Sequence, residues 1–180
     1  MQCATRTTSG FTLIEILMVV AILGIAGALI VPQLGSRDDL KAAAAARVVM
    51  ADLVYAQNLA ITQQRNICVA FDLAARQYSL LTAGDMLPVQ HPIDKRSYVQ
   101  RWGSGGSAGL RNTDIVSAVF TAGASSSAIL AFDEMGSPLA YIDGNPQAMS
   151  SGQIVVQCAG FRLKVEIEPF TGQIKVSKTS

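Results

Sequence analysis

Side chains that carry chemistry are scarce in this sequence. There is one histidine, His91, set between Gln90 and Pro92, and a Ser-His-Asp constellation would hang on it alone. No twelve-residue loop of alternating oxygen ligands is present, which leaves calcium only the scattered Asp133, Glu134 and Asp143. Neither sign of charge dominates: 14 Lys and Arg stand against 13 Asp and Glu. That balance argues against a nucleic acid or an anionic membrane surface as partner. No internal repeat is visible. These gaps give no support to an enzyme, a metal site, a cofactor or a small-molecule substrate. One further gap points the other way. Between Arg6 and Arg37 there is no basic residue, and the only acid is Glu15.

That uncharged interval is the element around which the chain is organised. From Phe11 to Val31 the sequence is almost wholly apolar. At 1.5 Å per helical residue, about 20 such residues cross a hydrocarbon core about 30 Å thick. A carboxylate inside such a helix costs roughly 3 kcal/mol or more, so Glu15 needs a partner. Cleavage after Gly10 would supply one, because a free Phe11 amine is cationic at neutral pH and can meet Glu15 of a neighbouring subunit. The competing reading is an uncleaved anchor whose Glu15 reaches the membrane interface.

The polar stretch from Met1 to Gly10 precedes the apolar run, and the proposed cut falls before that run. An ordinary secretory signal has a shorter apolar region and is cut after it, so here the helix stays on the mature chain. Arg6 leaves the leader on the cytoplasmic side, and everything after Pro32 is expected in the periplasm. Pro32 and Gly35 predict a bend, and Ser36 to Asp39 reads as a helix cap. Helix then resumes to about Gln64. Ala42, Ala45, Val49, Leu53, Ala56 and Ala60 recur at helical spacing and define its buried face. Arg37, Lys41, Arg47, Asp52 and Arg65 are read as solvated or subunit-facing charges.

Beyond Arg65 the period becomes alternating. Strands are expected at 67–71, 77–81, 98–102, 115–120, 128–132, 153–158, 161–167 and 173–177, with an irregular region near 83–112. Turns are expected at Met135-Gly136, Asp143-Gly144 and Thr171-Gly172. The expected fold is α+β: a long N-terminal helix whose outer half packs on an antiparallel β-sheet domain. The domain reading is leader 1–10, membrane and assembly half 11–35, outer helix 36–65 and sheet domain 66–180.

Gly10-Phe11-Thr12-Leu13-Ile14-Glu15 resembles the processing site of type IV pilins and type II secretion pseudopilins. The resemblance implies that prepilin peptidase cuts after Gly10 and methylates the Phe11 amine. It implies that Glu15 serves register and assembly, and that Pro32 bends the helix. Phe132 to Pro138 and Val165 to Val176 are similar to two late motifs of the GspH/FimT pseudopilins. The implied function is a minor pseudopilin of a type II secretion pseudopilus. It would be a single-pass inner-membrane protein incorporated into a periplasmic or envelope-spanning filament, with other pseudopilins or pilins as partners. The alternative is a type IV pilus minor pilin of FimT type that binds DNA, for which Arg96, Arg101 and Arg111 around Trp102 are the candidate contacts. Cys68 and Cys158 fall in expected strands facing an oxidising space and are candidates for a disulfide; two separate buried thiols are the preferred reading.

Overall fold

The computed structural model describes residues 11–30 and 38–179. Gly10, Pro32 and the expected bend at Pro32 to Gly35 lie outside them. The chain divides into two units, 1–37 and 38–180.

The first unit is α1 (Leu13–Ile30). Thr12 caps it. The Thr12 Oγ1 accepts the Glu15 N–H at 3.3 Å, and the Thr12 N–H reaches back to Glu15 Oε2 at 3.5 Å. This is the reciprocal capping box that Thr-x-x-Glu encodes. Side chains from Phe11 to Ile25 are exposed all round the helix. Among the described residues no helix is both long and apolar enough to cross a membrane. Eighteen helical residues rise about 27 Å, a little short of the hydrocarbon thickness.

The second unit begins with α2 (Asp38–Gln63), which starts on two acids, Asp38 and Asp39, favourable at a helix N-terminus. It ends where Gln64 takes a positive φ of 50° and the Arg65 N–H bonds the Ala60 carbonyl at 3.2 Å, closing a Schellman-type turn. All six residues of the expected face are buried, joined by Ala46 and Asp52. Small side chains along this face let sheet residues approach the helix axis closely.

Two antiparallel sheets follow. The first has β1 (Ile67–Asp72), β2 (Gln77–Thr82), β3 (Val99–Arg101), β6 (Ile129–Phe132), β7 (Pro138–Ile142) and β8 (Asn145–Ala148), in the order β3-β2-β1-β6-β7-β8. The second has β4 (Asp114–Ala122), β5 (Ser125–Ser127), β9 (Ser151–Cys158), β10 (Phe161–Ile167) and β11 (Ile174–Lys178), in the order β11-β10-β9-β4-β5. α2 packs on β9 and β10 of one sheet and on β1 and β6 of the other, so a single core joins all three layers. Leu53, Leu80, Phe120, Phe132 and Ile154 are at its centre.

The first sheet is apolar on both faces. Cys68, Ala131 and Tyr141 form a second small cluster on the side away from α2, covered by Leu81, Met86 and Leu139. This explains why β1 reads as an unbroken apolar run rather than an alternating one. The excursion between β2 and β4 is mostly irregular but well tied: Val89 and Tyr98 exchange backbone bonds with Leu80 and with each other. Strands β5, β7 and β8 were not expected from the sequence. The Asp143-Gly144 turn, both residues at positive φ, joins the last two as a tight hairpin.

Candidate assembly site

Of the expected processing and assembly residues, Phe11 and Glu15 are described, and both lie at the start of α1. Glu15 is the third helical residue, so its carboxylate returns to the start of the helix. There it faces free backbone N–H groups and the positive end of the helix dipole. The bond it makes to the Thr12 amide is long, at 3.5 Å, and exposed. Such a contact is readily exchanged for a charged donor, which makes shorter and stronger bonds to a carboxylate. Phe11 stands beside it, its ring exposed. The Glu15 carboxylate, Phe11 and an apolar helix are therefore presented on one short segment.

Residues 5–31 match the model of the prokaryotic N-terminal methylation motif. The minor pseudopilin EpsH from the Type 2 Secretion System of Vibrio cholerae superposes with a TM-score of 0.50 at 13% identity, covering 77% of this chain and 97% of that one. The chain's fold is like that of EpsH, and its N-terminus carries the methylation motif. The chain is also 68% identical over 34 residues to type II secretion system core protein G of Pseudomonas aeruginosa. That match takes in 19% of this chain, and the chain spans about a quarter (24%) of the length of that relative. The likeness to protein G is thus confined to a short segment, while the likeness to EpsH runs through the α+β architecture.

The other candidates are distributed as follows. Cys68 and Cys158 are both free, so the disulfide considered for them is not formed. Cys68 belongs to the outer cluster of the first sheet, where burial pushes its thiol up to about 11. Cys158 ends β9 beside Asp38 and the Asn112 carbonyl, and burial raises its thiol as well. Arg96, Arg101 and Arg111 are exposed. Arg101 and Arg111 flank one loop through the Gly103–Arg111 bridge, whereas Arg96 closes a separate turn with His91. Trp102 is only 3% exposed and stacks on Tyr78, so it offers no face to a nucleic-acid base. His91 Nδ1 lies 3.2 Å from Asp94, and its ring rests on Tyr98. Asp133 spends its carboxylate on the N–H groups of Met135 and Ser137, within its own turn. Among the described residues no group of three or more His, Cys, Asp or Glu is placed to hold a metal.

Asp52 corrects the sequence reading. It is 8% exposed, and its carboxylate accepts hydrogen bonds from Tyr78 Oη at 2.5 Å and Tyr98 Oη at 2.8 Å. Burial raises its pKa above the ordinary carboxylate value, and the two hydroxyls partly offset that by stabilising the anion. The same desolvation, with the nearby carboxylate, pushes both tyrosines upward. One carboxylate thereby fastens β2 and the excursion to α2. The signal was present: positions 45, 49, 52 and 56 share one helical face.

Gln57 is the second residue that sequence reading missed. Its Nε2 donates to the Gly136 carbonyl at 2.8 Å. A Cβ on Gly172 would stand 2.5 Å from the same nitrogen. The two late motifs thus meet at one side chain of α2.

Proposed function

We propose that this chain is a minor structural subunit, a pseudopilin, of a type II secretion pseudopilus. Prepilin peptidase removes residues 1–10, and the Phe11 amine so freed is methylated and pairs with Glu15 of a neighbouring subunit. Residues 11–35 cross the inner membrane once and later pack into the filament core. Residues 36–65 and 66–180 form the periplasmic part that presents the outer surface. The role is assembly rather than catalysis, and the GspH/FimT assignment rests on the motifs at Phe132 to Pro138 and Val165 to Val176. The observation that carries the reading is the methylation motif at residues 5–31, with Glu15 set back onto the helix start by Thr12. Secretion is preferred to a pilus because both similar proteins, protein G and EpsH, are described as parts of secretion systems.

Mass spectrometry of the chain from its native envelope tests this directly. The expected mass begins at Phe11 and carries one added methyl. Retention of the first ten residues, together with normal assembly of Glu15→Ala, would reduce the protein to a tethered periplasmic domain.

A further inference from the structure

Residues 83–98, between β2 and β3, lie beside the second half of α2, and they are held there unevenly. Only Val89 and Tyr98 are buried; Leu87 is 58% exposed and Ile93 85% exposed. A cleft of about 390 Å³ separates the Tyr55 to Arg65 flank of α2 from the stretch Thr82 to Gln90, so apolar contact is thin there. The backbone ties converge on the end of β2. The Leu80 N–H donates to the Tyr98 carbonyl at 3.1 Å, and the Leu80 carbonyl accepts the Val89 N–H at 2.9 Å. The Thr82 N–H donates to the Leu87 carbonyl at 2.9 Å. Met86 adds a half-buried foothold on the outer cluster of the first sheet. Met86 and Lys95 hold φ values of 51° and 59°, a region that strains residues other than glycine.

Within the segment the bonding is closer. One carboxylate oxygen of Asp85 accepts the Thr82 hydroxyl and the Leu87 N–H. The His91 N–H donates to the Arg96 carbonyl and the Tyr98 N–H to the Val89 carbonyl, each at 2.7 Å. The segment therefore keeps its own shape, and one side chain joins it firmly to α2. Tyr98 stacks on Tyr55, ring centroids 5.4 Å apart, and donates its hydroxyl to Asp52 Oδ1 at 2.8 Å. The other Asp52 oxygen is taken by Tyr78 of β2, inside the body of the domain. Asp52 thus has one bond that breaks if the segment moves away and one that does not.

We propose that residues 83–98 are a strap latched by Tyr98 to Asp52, which opens as a unit while α2 and both sheets stay folded. Segments with few buried apolar contacts open at free energies below that of global unfolding. Opening uncovers the half-buried Tyr55 and Leu59 on the flank of α2, so the latch decides whether that flank is covered. The device stands apart from the assembly function proposed above and operates in an isolated subunit as well.

Hydrogen exchange of the full-length chain in detergent micelles, at increasing urea below the unfolding transition, tests the strap. The Leu80, Val89 and Tyr98 amides are expected to be protected at least about tenfold less than amides in the middle of α2, with a weaker dependence on urea. Tyr98→Phe removes the latch bond and should speed those three amides about a further tenfold, the loss expected for a hydrogen bond to a buried carboxylate. Tyr78→Phe removes the bond that stays within the body and should leave them unchanged at low urea. Protection and urea dependence equal to those of α2, no acceleration by Tyr98→Phe, or equal acceleration by both variants overturns the latch. So does a Tyr98→Phe chain that unfolds, because the open form has to keep the rest of the domain intact.

Discussion

α1 and α2 obey the same helical period but solve opposite problems. α1 has no buried side within its own chain: its apolar residues face outward on every side from Phe11 to Ile25. α2 hides one alanine-rich face, Asp52 included, and spreads its other charges over the rest of its surface. The difference shows where each helix finds its stability. α2 is stabilised by intramolecular burial on two sheets, at roughly 25 cal/mol per Å² of apolar surface. α1 has only its cap and its backbone bonds, and its apolar surface has to be covered by lipid or by other chains.

The largest effect that would separate the two helices is the loss of the one charge in α1. Glu15→Ala should cut filament incorporation on the order of a hundredfold, because about 3 kcal/mol of buried-charge pairing is at stake. It should leave the urea unfolding of the sheet domain unchanged. A matching loss of stability would mean that α1 and α2 are not independent in the way their burial indicates.

A volume change should sort the helices the other way round. Ala56→Leu, at a fully buried site on α2, should destabilise the domain by about 1–3 kcal/mol through overpacking. Ala21→Leu, exposed on α1, should leave unfolding unaffected. Equal tolerance at both sites, measured by urea denaturation, would contradict the close approach of sheet to helix.

Gly136→Ala tests the clasp at the end of α2. Its φ is 83°, and the added methyl would meet Ile61 Cδ1 at 2.8 Å. A cost of about 1–2 kcal/mol is expected from the strained backbone and the crowding together. Gln57→Ala should lose less, about 1 kcal/mol, for one exchanged hydrogen bond.

The smallest effect is a pH slope. The folded-state pKa of Asp52 is raised by burial above its unfolded value of 3.8. The native state therefore holds its proton to higher pH than the unfolded chain does. Its contribution is most favourable below the unfolded pKa and is lost as pH rises through the raised folded value. Asp52→Asn removes this titration, so the difference in urea midpoint between wild type and variant should change across that window and be flat above it. A difference that is constant with pH would place the Asp52 carboxylate in contact with solvent.

The buried face of α2 was legible because alanine, valine and leucine at offsets of three and four can mean little else. The N-terminal motif was legible because its function is written on consecutive residues. Asp52 was misread because charge was weighed before position. Only the fold brings Tyr78 and Tyr98, distant in sequence, to satisfy it. β8 escaped notice because Asn145 to Ala148 is fully exposed and contains Pro146, a composition suited to a sheet edge and poor in strand signal. Gln57 falls in a helix end, Ala56 to Ile61, that is similar to the GspH/FimT family, but nothing in the sequence marks its bridging role, since an amide that bridges two turns looks like any other polar helix residue until the turns are placed.

The burial of the two thiols has a practical consequence. Cys68 is 0% and Cys158 4% exposed, so the fold shields both from alkylating reagents. On the proposed cut after Gly10, Cys3 would leave with the leader, and maleimide uptake by the native protein would then follow Cys3. A gel-shift assay on unmodified wild type can then follow maturation over time without an antibody or a tag.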